Sequence, residues 1–126
     1  MLDGGLMTVG AHTHTHIDLR DQSGERVAEE LMTSNELIES RLGLTPQHFA
    51  YPWGYWDPTA DIEVRSRYQT ATLGGGAGVT SDTDLHKINR VPVQLDDRVL
   101  FFQRKAKTGL RAEESVRRVV SGYKGP

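Results

Sequence analysis

His12-Thr13-His14-Thr15-His16 sets three of the chain's five histidines within five residues. Neutral imidazole is a ready nitrogen donor for Zn²⁺ and related divalent transition metals. The chain has no cysteine, so a thiolate site is excluded, and any metal must be held by histidine, carboxylate or water. In an extended segment all three imidazoles share one side of the strand. If the chain turns after the first of them, His12 and His16 converge instead. Spacing alone leaves two pairs open: His12 with His16, or His12 with His14 in the His-x-His manner of amidohydrolase-like and phosphoesterase barrels. A Zn²⁺ with three protein ligands and an open position lowers the pKa of its water to about 7, giving a nucleophile at neutral pH.

The elements around this cluster follow from periodicity. Met7–Ala11 reads as a short strand. Ser23–Leu42 is the clearest helix, with Val27, Ala28, Leu31, Ile38 and Leu42 at three- and four-residue steps and Glu25, Glu29, Glu30, Glu36 and Glu39 between them. Gly43 stops it and Pro46 bars continuation. Gln47–Tyr51 suits a second strand, and Asp57-Pro58 an N-cap followed by proline at the first helical position of a helix to about Tyr68. Gln69–Leu73 alternates as a third strand, Gly74 to Thr83 is a glycine-rich loop, and Ile88–Val93 is extended. Asp96–Lys105 and Ala112–Val120 read as helical. Strand, helix, strand, helix, strand with short connections predicts a parallel α/β sheet. Its strand-end loops, residues 12–20 and 51–57, then share one rim.

Residues 1–85 carry 5 Lys/Arg against 13 Asp/Glu, and residues 86–126 carry 10 against 4. The basic segment reads as a solvated helical face; without an accompanying aromatic series for base stacking it gives no nucleic-acid site. No apolar run has the length of a membrane span. Met1–Met7 lacks the basic start and apolar stretch of a signal peptide, so the chain as written reads as cytoplasmic, with any export signal of a parent protein lying upstream.

Several segments together resemble one family. Gly10-Ala-His-Thr-His-Thr-His16 is similar to the second motif of polysaccharide deacetylases (the NodB-homology domain, carbohydrate esterase family four), His-Ser/Thr-x-x-x-His, whose outer histidines bind metal. Glu30–Ser34 and Leu37–Glu39 resemble the helix after that motif. Phe49-Ala-Tyr-Pro-Trp-Gly54, with 32 residues between it and His16, resembles the third motif, and Asn89-Arg-Val-Pro-Val93 a later strand. The resemblance implies a distorted (β/α) barrel hydrolysing carbon–nitrogen bonds other than peptide bonds, or ester bonds, to remove N- or O-acetyl groups from amino-sugar polymers. The metal, usually Zn²⁺ or another divalent transition metal, is held there by one Asp and two His, with a second Asp as general base. Carried over, His12 and His16 become metal ligands and Trp53 supplies the oxyanion N–H. Tyr51, Pro52, Trp53 and Trp56 are expected to line a groove for an acetylated polysaccharide or oligosaccharide.

The family's first motif, Thr-Phe-Asp-Asp-Gly, lies well upstream of the histidines, and only eleven residues precede His12 here. The resemblance therefore implies a partial domain over residues 1–126, lacking that motif and catalytically incomplete as given, with a helical, basic segment from 96 to 126. An open sheet edge in such a piece is expected to give either a homodimer that buries it or an aggregation-prone monomer. Ala50 replaces the third-motif arginine that orients the base, and Arg90 reads either as a structural ion-pair partner or as its migrated replacement. No Leu-x-His motif follows, and His86 sits in a different context. Phe101 and Phe102, beside Val99 and Leu100, are expected in the core. The competing readings are a non-catalytic carbohydrate- or metal-binding remnant and an amidohydrolase-like barrel using His12 and His14.

Overall fold

The computed structural model describes residues 4–95 and 97–108. Helix α1, Gly24–Leu42, begins where the Ser23 hydroxyl accepts the Arg26 N–H at 3.2 Å and ends at Gly43, whose φ of 66° suits the residue after a helix. Strand β1 follows at His48–Ala50, then a single 3₁₀ turn at Pro52–Gly54. Helix α2, Pro58–Arg67, is capped by Asp57, which accepts the Thr59 and Ala60 N–H groups, with Pro58 in the first turn. Strands β2, Thr70–Gly74, and β3, Ile88–Arg90, and helix α3, Val99–Thr108, complete the order.

The three strands form one parallel sheet in the order β1-β2-β3, with Phe49 opposite Ala71 and Thr72 opposite Ile88. Between the sheet and the first two helices lies one core: Val27 and Leu31 from α1, Ala60 and Val64 from α2, and Phe49, Tyr51, Tyr68 and Ala71 around the strands. Phe49 stacks on Tyr68 and meets Tyr51 edge-on, both with centroids 5.1 Å apart. Each buried aliphatic side chain contributes roughly 1.5–3 kcal/mol.

Several expectations shift. The strand at Met7–Ala11 is reduced to one parallel bridge, Ala11 with Phe49, in which Ala11 donates to the His48 carbonyl and receives the Ala50 N–H. The extended segment at 88–93 leaves the sheet after Arg90, two residues before Pro92, which has no N–H to give a ladder. Helix α3 starts at Val99 rather than near Asp96 and runs past Lys105. Phe101 and Phe102 are about half exposed and Val99 and Leu100 are 73% exposed, so they are not core residues among the described residues. Lys105 is instead buried, its Nζ 2.7 Å from both Asp97 carboxylate oxygens. The helix expected at Ala112–Val120 lies outside the described residues, as does most of the basic segment. Among the described residues no helix is long and apolar enough to cross a membrane.

Candidate functional site

Parallel pairing puts the carboxyl ends of the strands on one rim, and there the loop after Ala11, the 3₁₀ turn after β1 and the segments after β2 and β3 meet. They enclose an open cavity of about 780 Å³ bordered by His12, Trp53, Tyr55, Gly74, Gly75 and Arg90, among others.

The histidine loop turns, as one of its two sequence readings required. Thr13 and His16 both adopt left-handed backbone, φ 63° and 60°, a conformation that costs an L-residue about 1–2 kcal/mol. The turns bring the His12 and His16 rings to 4.7 Å between centroids at 68°. His16 in turn meets the Trp53 ring edge-on at 4.8 Å. His12 Nδ1 lies 2.6 Å from the Ala50 carbonyl oxygen. A carbonyl can only accept, so Nδ1 carries the proton and a neutral His12 presents its lone pair at Nε2. His14 is exposed and is held through its backbone, leaving its ring outside these contacts.

The loop is tied down by Glu30 of α1, 2% exposed. Its carboxylate accepts the backbone N–H groups of His14 and Thr15 at 2.9 and 2.8 Å, the Thr15 hydroxyl at 2.7 Å, and the Arg26 guanidinium at 2.8 Å. Burial pushes the carboxyl pKa upward, but the donors from Thr15 and His14 and the Arg26 charge outweigh it and hold the pKa below its ordinary value. Sequence reasoning counted Glu30 with the acids lying between the apolar positions of the helix. Yet 27, 30, 31 and 34 are one helical stripe, and the structure buries all four. A carboxylate on an apolar stripe was the available signal.

In the aromatic turn, Trp53 and Gly54 are both left-handed, at φ 57° and 73°. The Trp53 N–H lies in the first turn of the 3₁₀ helix, where backbone donors lack intrahelical partners, and its ring is 66% exposed. The other residues expected in the sugar groove are placed differently. Tyr51 and Pro52 are fully buried; Tyr51 still borders the cavity, while its hydroxyl faces Asp61 at 3.4 Å. Trp56 packs against the core with Lys87 Nζ 3.9 Å above its ring, and its buried Nε1 has no hydrogen-bond partner among the described residues. Tyr55, which sequence reasoning passed over, borders the cavity with the Arg20 guanidinium 3.7 Å above its ring.

Arg90 also borders the cavity. It forms no ion pair among the described residues, contrary to the structural ion-pair reading; its Nε donates to the Leu73 carbonyl at 3.2 Å. His86 is occupied elsewhere, its Nε2 donating to the Tyr68 carbonyl at 2.8 Å.

The donor chemistry suits a borderline-soft divalent metal: two adjacent imidazoles, one with its outer nitrogen already oriented by a carbonyl. A catalytic zinc site takes three protein ligands. Among the described residues no group of three or more histidines or carboxylates is placed to hold a metal ion.

Comparison with known proteins bears on the family and the fold. The family described as polysaccharide deacetylase matches residues 1–71, and the chain belongs to that family. The YlxY protein of Bacillus subtilis is 32% identical over 65 residues, covering 52% of this chain and 20% of that protein. BC0361, a polysaccharide deacetylase from Bacillus cereus, is 31% identical with a TM-score of 0.72, covering 84% of this chain and 34% of that one. BA0330 of Bacillus anthracis is 30% identical with a TM-score of 0.74, covering 85% and 34%. The chain thus spans a fifth of the curated relative and about a third of these solved structures, and its parallel sheet corresponds to part of the deacetylase barrel.

Proposed function

We propose that this chain supplies the histidine pair, the oxyanion donor and one wall of the sugar groove for metal-dependent removal of acetyl groups from an amino-sugar polymer. The observation that carries the reading is the meeting of His12 and His16, 4.7 Å apart, with the Trp53 ring beside His16 on the same rim. His12 and His16 would hold Zn²⁺ or a related divalent ion, which when bound polarises the acetyl carbonyl and acidifies a water. The Trp53 N–H then donates to the developing oxyanion, and its exposed ring offers a face to a pyranose. Buried Tyr51 and Pro52 support that turn from beneath, and Trp56 anchors its far end. Arg90, held by the Leu73 carbonyl beside the cavity, is available to orient a carboxylate base.

Membership of the deacetylase family, and the position of the His14 ring outside the pair's contacts, disfavour the amidohydrolase-like alternative. A sugar- or metal-binding role without turnover shares the same geometry and differs only in acetate release. Titrating an acetylated chito-oligosaccharide into the zinc-loaded chain tests the groove. A tryptophan fluorescence change lost in Trp53→Ala is expected; no change in the parent chain, or an equal change in the variant, overturns the sugar-binding assignment.

A further inference from the structure

We propose that Glu30 is the positioning residue of the histidine pair: it fixes the turn that makes His12 and His16 a chelate, and so sets their metal affinity. This rests on the reading above that the pair holds a metal. A buried carboxylate on a helix's core stripe persists only when fully satisfied. Of the four donors on Glu30, three belong to the histidine loop and none is an imidazole. Its hold on the site therefore runs through the backbone of residues 14 and 15.

That hold is needed because the loop's own preference lies elsewhere. Left-handed backbone at Thr13 and His16 is unfavourable for residues bearing a Cβ, threonine above all because it is β-branched. Relaxed toward an extended form, the segment would space His12, His14 and His16 along one side of a strand. The Thr13 hydroxyl, accepting the His16 N–H at 3.1 Å, closes the second turn but spans only three residues. Glu30 is the anchor that ties the loop to a helix packed in the core, with Arg26 fixing the carboxylate from the solvent side.

The test follows the His12 and His16 imidazole Cε1–H signals by NMR during Zn²⁺ titration of the full chain. In the parent protein both signals are expected to shift together with one affinity. Glu30→Gln puts an amide NH₂ against backbone donors, and it should weaken binding about 10–100-fold and uncouple the two signals. Thr15→Val, which removes one donor and keeps the fold, should give a smaller loss in the same direction, and Glu30→Asp a partial return toward the parent. Val64→Ala, a core truncation in α2, serves as the control for general loosening. Coupled, parent-like binding in folded Glu30→Gln overturns the proposal, as does an equal loss in Val64→Ala. A parent chain in which neither imidazole responds to Zn²⁺ overturns the metal reading itself, and this proposal with it.

Discussion

Gly54 and Gly74 touch backbone to backbone: a Cβ built on Gly54 would lie 2.2 Å from the Gly74 nitrogen. The aromatic turn is thereby seated directly on the end of β2. Gly54→Ala combines that collision with left-handed backbone, whereas Gly43, also left-handed, has nothing within 4 Å of its Cβ position. We expect Gly43→Ala to cost about 1–2 kcal/mol and Gly54→Ala about 1–3 kcal/mol more. Urea unfolding of the two variants side by side measures the difference; equal costs would show that the turn lifts off β2 freely.

Metal binding discriminates among the three clustered histidines. His12→Ala and His16→Ala should each abolish Zn²⁺ binding by the isolated chain, and His14→Ala should leave it intact. Binding of the parent chain should itself be weak, since two imidazoles under-coordinate the ion. Calorimetry in which only His14→Ala loses binding would reverse the ligand assignment.

The chain by itself is expected to release no acetate above background. Among the described residues no carboxylate joins the histidine pair, and general-base assistance is typically worth about 10²–10⁴-fold. Chelator-sensitive acetate release, restored by added metal, would show that another group on this chain serves as base.

Acid sensitivity should trace to the Arg65–Asp84 ion pair. A hydrogen bond from Arg65, joined by the His86 N–H, pulls the Asp84 carboxyl down to about 2. A depressed carboxyl contributes stability above its unfolded value, near 3.9, and loses it as pH falls toward about 2. With Asp84 40% exposed, solvent screening holds the effect to about 1 kcal/mol or less. The Tm gap between the parent and Asp84→Asn should thus be largest above about pH 4 and fade as pH drops through about 2; a constant gap would place the contribution in packing.

Ala11 makes a single bridge to β1, so the sheet edge there is largely uncovered among the described residues, and such edges recruit other chains. Sedimentation equilibrium is expected to show a dimer at micromolar concentration. A monomer with cooperative unfolding would rule out edge pairing.

Much of this arrangement was legible in the residues. Ser23, Gly43 and Asp57-Pro58 marked helix ends because capping is local chemistry, and alternation at 69–73 marked β2. The fate of Met7–Ala11 was not legible, since a strand exists only where a partner does. Nor was the exposure of Phe101 and Phe102, because apolarity fixes a preference for burial without naming the surface that supplies it. At the site, the histidine spacing allowed two pairs, and only the left-handed turns at Thr13 and His16 select one. Those turns depend on Glu30, a contact sixteen residues away from His14. Tyr51, matched by motif to a sugar-binding aromatic, is buried in the core and borders the cavity as well, because it sits where β1 gives way to the aromatic turn.

Arg20 joins the two halves of the rim. Its guanidinium grips Asp18, at the end of the histidine loop, and sits 3.7 Å above the ring of Tyr55 in the aromatic turn. An exposed cation–π contact of this kind is worth about 0.5–1 kcal/mol, so it biases a two-state equilibrium only about two- to fivefold. The contact ties the histidine loop to the aromatic turn at Tyr55, which borders the cavity. It is weak enough that the two loops can part at little net cost.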